Sequence, residues 1–180
     1  PRLVEGCAPA ARLRSELARR WGMTGRPVIA GGAGDNPSGA IGIGAIQPGT
    51  AFISLGTSGA LLAPTATIAA NPDRAVHTFC HAIPGMWIQA GAILSAASCL
   101  AWAARLFGVT ETELLAPLGP RPRAPSPVSF LPYLAGERTP HDDPAVRGML
   151  DGLSHGTDRN AIVQAVLEGV AFALVDCRDA

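Results

Sequence analysis

The 180-residue sequence contains no lysine, and its 14 basic side chains, all arginine, are balanced by 14 acidic ones. Only 16% of the residues are charged, and no basic stripe of the kind that binds nucleic acid occurs. We therefore expect no nucleic-acid partner. A Walker A loop requires Gly-Lys-Ser/Thr, so that phosphate-binding motif is excluded. A cation that contacts an anionic ligand would have to be an arginine or an external metal ion.

Long hydrophobic runs and targeting signals are also missing. No apolar segment has the length expected of a membrane span, and no signal peptide opens the chain. The four cysteines form no CxxC pair, which is typical of reduced thiols in a cytosolic protein. We therefore expect a cytoplasmic location without membrane association. The absence of an initiator Met and of a cap on the last helical segment suggests an interior piece of a longer protein.

The alternation of helix and strand patterns predicts an α/β fold with a mixed sheet. The Pro48-Gly49 turn is the best internal boundary. The predicted helices cover 8–21, 36–45, 92–108 and a C-terminal segment that starts at Thr157 or Asp158. The predicted strands are a buried one at 27–30, the arms of a hairpin at 51–64, an antiparallel pair at 75–79 and 86–90, and one at the start of the segment VSFLPYLAGERTPHDDPAVRG.

The stretch VIAGGAGDNPSGAIGIGA, residues 28–45, places one acid, Asp35, in a glycine-rich turn between a strand and a helix. Such turns present ligand groups at the carboxyl edge of a sheet. The glycines do not fit G-x-G-x-x-G in frame, which argues against a dinucleotide site. Asp35 can serve as a helix N-cap or as a proton acceptor for a substrate hydroxyl. One residue can combine both roles. Helix-interior glycines cost roughly 1 kcal/mol each, which indicates tight packing or a ligand close to the backbone.

The turn Gly56-Thr57-Ser58-Gly59 lies at the tip of the predicted hairpin. It offers consecutive backbone N–H groups and two hydroxyls, an arrangement that suits a phosphate nest. An ordinary hairpin turn is the other interpretation. The turn misses the G-x-S-x-G nucleophile elbow by one position, so a serine hydrolase that uses Ser58 is a weaker hypothesis.

One group of neighbouring His and Cys side chains raises the question of a metal site. His77, Cys80 and His81 lie close together in sequence, but zinc needs a second ligand cluster, which is not visible. Trp87 and Trp102 are expected to pack in a core rather than to bind a sugar.

The segment ERTPHDDP contains Glu137, Arg138, His141, Asp142 and Asp143. A metal site or a catalytic group is one interpretation of this charge. The preferred interpretation is a solvated loop with turn prolines, in which Arg138 either contacts a partner subunit or anchors the loop.

GGAGDN, followed about twenty residues later by SLGTSG, resembles the FGGY carbohydrate kinases, in particular their xylulokinase branch. The likeness continues in order through HTFCHAIPGMWIQAGAILSAASCLAWAARLFG, FLPYLAGERTPHDDPAVRG and GLSHGTDRNAIVQAVLEGVAFAL, nearly the whole chain. It implies an RNase H-like fold of the actin/Hsp70 type, in which two domains close on sugar and nucleotide. Residues 1–48 would end the first domain, on the sugar side, and residues 51–180 would begin the second, on the nucleotide side.

The resemblance also implies roles for five residues. Asp35 corresponds to the general base that takes the proton of the attacking sugar hydroxyl, and Asn36 to a ligand of the sugar. Gly56, Thr57 and Ser58 correspond to the motif that cradles the nucleotide's phosphates. No residue of this chain corresponds to a metal ligand.

The implied reaction is the phosphorylation of D-xylulose by ATP with Mg²⁺, with ribulose, glycerol and gluconate as alternative substrates. A homodimer is left open. The start of the 95–102 helix matches loosely the segment that faces the terminal phosphates, and Ala161 departs from the family's second signature, which has a polar residue there. A non-catalytic actin/Hsp70-like piece is the alternative for the chain alone, and we expect the isolated chain to be inactive.

Overall fold

The computed structural model describes residues 2–121 and 123–180. They form, in chain order, β1 (Pro9–Arg12), α1 (Ser15–Arg20), β2 (Val28–Ala30), α2 (Asp35–Gly42), β3 (Phe52–Leu55), β4 (Gly59–Thr65), β5 (His77–Cys80), β6 (Trp87–Ile93), α3 (Ala97–Phe107), α4 (Glu111–Leu115), β7 (Ser129–Leu131), β8 (Met149–Asp151) and α5 (Arg159–Asp179), with 3₁₀ turns at Pro72–Arg74 and Ala116–Leu118. The α/β class predicted from the sequence is confirmed.

The chain divides into two compact units. The first contains the residues up to Ala51 together with 63–69 and 78–88, and the second contains 52–62, 70–77 and 89–180. One sheet has the strand order β3-β4-β6-β5, and two smaller sheets pair β1 with β2 and β7 with β8.

The first unit begins with an antiparallel pair in which Arg12 of β1 lies opposite Val28 of β2. The helix predicted over 8–21 is therefore wrong in its first half, because pairing with β2 overrides the helical spacing, and only Ser15–Arg20 is helical. Strand β2 forms as predicted but is not buried. Val28 and Ile29 remain about half exposed, at 49% and 46%, in a sheet of only two strands.

Strands β3 and β4 form the predicted hairpin, and its paired residues lie in the second unit. Phe52 pairs with Leu62 and Leu55 with Gly59, so the residues between Leu55 and Gly59 make the turn. Helix α3 begins at Ala97 rather than at 92, because β6 continues to Ile93. The turn of the hairpin and the start of α3 both belong to the second unit.

The core of the second unit forms between α5, α3 and β7. Helix α5 approaches β7 so closely that a Cβ atom at Gly169 would collide with the carbonyl oxygen of Phe130. The Trp102 ring stacks on Phe130 with 5.7 Å between centroids, which confirms its predicted packing role. Asp158 caps α5 as predicted, since its Oδ1 accepts from the Ala161 N–H at 2.8 Å.

By length and composition alone, α5 is a candidate membrane span, the one such helix in the described ranges. This contradicts the expectation that no apolar segment is long enough. The core helix of a globular domain passes the same test. Because Val163, Val166 and Gly169 are buried against the rest of the second unit, we assign α5 to its core.

Candidate active site

Asp35 is the first residue of α2 and is exposed. The N-cap position belongs to Gly34, which has no side chain, so the interpretation of Asp35 as the N-cap is wrong. The Asp35 carboxylate instead accepts from the Asn36 N–H through Oδ1 at 2.9 Å, and Oδ2 has no hydrogen bond within the described ranges. A carboxylate in the first turn interacts favourably with the helix dipole. The Asp35 carboxylate is thus fixed next to half-buried Asn36, with one of its oxygens available.

The glycines around Asp35 divide into two kinds. A Cβ at Gly31 would lie 2.6 Å from the Glu5 carbonyl oxygen, and one at Gly6 would lie 2.7 Å from the Gly32 carbonyl oxygen. Tight packing therefore explains the glycine at these two positions. A Cβ at Gly39 or Gly42 would meet nothing within 4 Å. Packing within the described chain does not require the two glycines inside α2, and the backbone there is open to approach.

A cleft of about 590 Å³ lies in the first unit beside this turn, lined by Leu3–Gly6, Gly32–Gly34, Pro37 and Cys80–Ala82. His81 is buried there, with Nδ1 accepting from the Ile83 N–H at 3.1 Å and Nε2 3.4 Å from the Ala45 carbonyl oxygen. No group of three side chains suitable for a metal occurs in the described part of the chain. His81 therefore serves the local structure, and all four cysteines are free.

The 56–58 turn, meaning Gly56, Thr57 and Ser58, is exposed at the tip of the β3–β4 hairpin. Its carbonyl oxygens are occupied by the start of α3. The Gly56 carbonyl accepts from the Ala97 N–H at 3.0 Å, and the Thr57 carbonyl accepts from the Ala96 N–H at 2.9 Å and from Ser98. The turn thereby supplies the caps that α3 lacks, since Ala96 at the N-cap offers no side-chain acceptor.

The N–H groups of this turn are disposed differently. Gly56 donates to the Ser58 carbonyl oxygen at 2.9 Å, which closes the turn. The Thr57 and Ser58 N–H groups donate to no group in the described ranges. Two adjacent unpaired amides with a hydroxyl on each side chain can bind an anion such as a phosphate. Among the described residues no histidine bonds to Ser58 Oγ, so nothing supports a serine hydrolase.

Glu137 contradicts the interpretation of residues 137–144 as a solvated loop, because it is only 2% exposed. Its Oε1 accepts from the Arg138 N–H at 2.7 Å and from the Leu94 N–H at 2.8 Å, while Oε2 is buried without a hydrogen-bond partner among the described residues. Burial raises the pKa of this carboxyl, and the two N–H donors offset part of that effect.

The rest of this loop is more open. Arg138 is exposed, and His141 Nε2 lies 3.0 Å from the Tyr133 hydroxyl. The chemistry-bearing residues therefore form two groups, Asp35 and Asn36 in the first unit and the 56–58 turn in the second. The bond from Ser98 to the 56–58 turn and the burial of Glu137 are not predicted from the sequence. The apolar run FLPYLAG directly before Glu137 is the signal that could have indicated that burial.

The family profile for the C-terminal domain of the FGGY carbohydrate kinases matches residues 51–180. The chain is 46% identical over 180 residues to the xylulose kinase of Escherichia coli strain K12, covering 99% of this chain and 37% of that protein. The chain thus spans little more than a third of the curated relatives' length.

Solved structures show the same likeness. A kinase from Brucella ovis has a TM-score of 0.94 and 53% identity over 98% of this chain and 36% of its own. A gluconate kinase from Lactobacillus acidophilus has a TM-score of 0.86 and 25% identity over 98% of this chain and 36% of its own. FGGY sugar kinases have the actin/Hsp70-like ATPase fold, so the predicted fold is confirmed. With the profile matching most of its length, the chain belongs to the FGGY family of carbohydrate kinases.

Proposed function

We propose that the protein carrying this chain phosphorylates a pentulose, D-xylulose, at the expense of ATP, giving D-xylulose 5-phosphate and ADP. The observation that carries the proposal is the 46% identity to a xylulose kinase over 99% of the chain, a range that includes both the Asp35 turn and the 56–58 turn. The geometry of the two groups supports the same reaction class, because one offers an exposed carboxylate and the other unpaired amides.

Asp35 acts in this proposal as the general base. Phosphoryl transfer proceeds through a loose transition state, so positioning and charge stabilisation provide most of the catalysis. The available Oδ2 of Asp35 accepts the proton of the attacking hydroxyl, while Asn36 binds a second hydroxyl through its amide. The bond from the Asn36 backbone N–H to Oδ1 fixes the orientation of the Asp35 carboxylate. The open backbone at Gly39 and Gly42 leaves room for the sugar.

The 56–58 turn binds the nucleotide's phosphates in this proposal. The Thr57 and Ser58 N–H groups and hydroxyls donate to phosphate oxygens, which provides charge stabilisation without lysine. ATP supplies the phosphoryl group, and Mg²⁺ shields its charge. The described residues offer no three-ligand cluster, so we assign no metal ligand to this chain and propose that Mg²⁺ enters with the nucleotide.

The division of labour between domains is also a proposal. Residues 1–48 would form the C-terminal end of the sugar-side domain, and residues 51–180 would form the beginning of the nucleotide-side domain. The range of the family profile, 51–180, supports the second boundary. We further propose that the 180 residues alone do not turn over, because both substrates require surfaces from the remaining length of the kinase.

A substrate panel tests the function. The product of the complete reading frame is assayed for ATP consumption with D-xylulose, ribulose, glycerol and gluconate. We expect the highest kcat/KM with D-xylulose. A higher value with another of the four would move the protein to another branch of the family, and no turnover with any of them would overturn the proposed function.

A further inference from the structure

The segment Glu137–Thr139 is bonded along the last residues of β6 and the connection that follows it. The Thr139 N–H donates to the Ala92 carbonyl oxygen at 3.0 Å, and Thr139 Oγ1 accepts from the Ala92 N–H at 2.9 Å. Two residues further along, the Leu94 N–H donates to Glu137 Oε1 at 2.8 Å. The backbone from Ala92 to Leu94 is therefore fixed by contacts with this segment.

The connection from Leu94 to α3 is short and buried. Only Ser95 and Ala96 intervene, and each is 2% exposed. Ala96 already donates its N–H to the Thr57 carbonyl oxygen, at 2.9 Å. The contact between Glu137 and Leu94 thus lies two residues along the chain from the first contact between α3 and the 56–58 turn.

A carboxyl group is a costly choice for a merely structural contact at this depth. Removing a charge from water costs several kcal/mol unless it is well paired, and in the described part of the chain Glu137 Oε2 has no hydrogen-bond partner. The Oε1 atom compensates by accepting from two peptide N–H groups, those of Leu94 and Arg138, which would otherwise lose their acceptor. The function of the side chain therefore resides in the position of this one oxygen.

We propose that Glu137 is a positioning residue for the nucleotide: through Leu94 it sets the start of α3, and α3 in turn sets the carbonyl groups, and hence the unpaired amides, of the 56–58 turn. The inference rests on the proposed role of that turn in phosphate binding. The inference adds Glu137 to the residues that shape the phosphate site, although Glu137 lies in a separate loop and does not contact the 56–58 turn itself. Its effect is expected on nucleotide affinity rather than on sugar affinity.

Three substitutions separate position from charge. Glu137→Gln retains a carbonyl oxygen that can replace Oε1. Glu137→Asp retains the carboxyl but shortens its reach to Leu94, and Glu137→Leu removes the acceptor at similar volume. Thr110→Ala is the matched control, because it breaks a capping box with Glu113 elsewhere in the same unit.

In the product of the complete reading frame, Glu137→Asp and Glu137→Leu are expected to raise KM for ATP by about tenfold, with KM for D-xylulose within about twofold of the wild type. Glu137→Gln is expected to stay within about threefold for both. An unchanged KM for ATP in Glu137→Asp, or a Glu137→Gln variant as impaired as Glu137→Asp, would overturn the proposal. If Glu137→Leu fails to fold, the comparison of Asp with Gln still decides.

Amide hydrogen exchange at Ala96 and Ser98 gives a readout that needs no turnover. Both N–H groups donate to the Thr57 carbonyl oxygen, so their exchange reports whether α3 and the turn remain joined. Exchange at these two sites should accelerate in Glu137→Asp and remain unchanged in Thr110→Ala. Equal exchange in Glu137→Asp and wild type would overturn the positioning role even if the kinase activity is confirmed. Faster exchange without xylulose turnover would retain that role and reject the proposed function.

Discussion

The Ser98 hydroxyl donates a 2.8 Å hydrogen bond to the carbonyl oxygen of Thr57. It joins the first turn of α3 to the tip of the β3–β4 hairpin, where the Ala96 and Ser98 N–H groups also donate to the same oxygen. Three donors on one acceptor restrain the Thr57–Ser58 peptide, whose N–H has no partner among the residues that the structure describes.

Removing one of these donors should weaken nucleotide binding while preserving the fold. In Ser98→Ala we expect KM for ATP to rise about fivefold, the equivalent of one hydrogen bond of about 1 kcal/mol, because two N–H donors remain. KM for D-xylulose should not change. Steady-state kinetics checks this, with Ser129→Ala, at an exposed position of β7, as the control. An unaltered KM for ATP would mean that the hydroxyl does not restrain the turn.

Asp35 is expected to be indispensable for turnover. Removal of a general base costs about a hundredfold or more, so Asp35→Ala should lower kcat by at least that factor while nucleotide binding, measured by calorimetry, persists. Asp73→Ala, which removes an exposed acid from a 3₁₀ turn, serves as the control. Retention of more than about a tenth of wild-type kcat, a loss below about 1.4 kcal/mol, would reject the role of base.

Two helical glycines should respond oppositely to alanine. At Gly169 the added Cβ collides with the Phe130 carbonyl oxygen, so Gly169→Ala should destabilise the protein by about 1–3 kcal/mol. At Gly39 the added Cβ meets nothing within 4 Å, so Gly39→Ala should stabilise α2 by about 0.5–1 kcal/mol. Denaturant unfolding measures both. Equal effects of the two substitutions would contradict the contact between α5 and β7.

The Glu137 carboxyl predicts a pH-dependent stability. Burial raises its pKa above the ordinary 4.5, so the native state binds a proton more tightly than the unfolded state. The resulting stabilisation is complete below pH 4.5 and is lost as the pH rises through the raised native pKa. The difference in Tm between Glu137→Gln and wild type should therefore increase as the pH rises from 4.5. A difference independent of pH would contradict this.

The groups around Glu137 determine how that experiment is controlled. Burial raises the pKa of the Cys99 and Cys177 thiols to about 12 and also raises that of Tyr133, so all three stay neutral at physiological pH. Arg138 and His141 favour the charged carboxylate. Because His141 acts on the Glu137 carboxylate through its charge, the measurement is repeated with His141→Gln in both proteins.

The sequence predicts correctly those elements that are determined by residues close together in the chain, such as turn glycines and helix caps. The 51–64 hairpin follows from its central glycines, and the start of α5 follows from Asp158, whose carboxylate accepts from Ala161. The Pro-rich segment 116–127 begins with a 3₁₀ turn, Ala116–Leu118, directly after the capped helix α4.

Elements that depend on distant partners were missed. Strand β1 forms because Pro9–Arg12 pairs with Val28–Ala30. Strand β8 forms because Met149–Asp151 pairs with β7. Neither short strand has a period long enough to reveal it. The prediction that Glu137 lies in a solvated loop is wrong for the same reason. Its side chain contacts Leu94, which lies 43 residues away in the chain.

The contacts between α3 and the 56–58 turn have an electronic consequence. The Gly56 and Thr57 carbonyl groups accept from α3, and each belongs to a peptide unit whose other end is an unpaired N–H, that of Thr57 or Ser58. A carbonyl that accepts a hydrogen bond polarises its own peptide, which makes the attached N–H a stronger donor. The N–H groups at the start of α3 thereby polarise two peptide groups, whose own N–H groups lie on the exposed side of the hairpin. A bound phosphate would in turn strengthen the bonds that begin the helix.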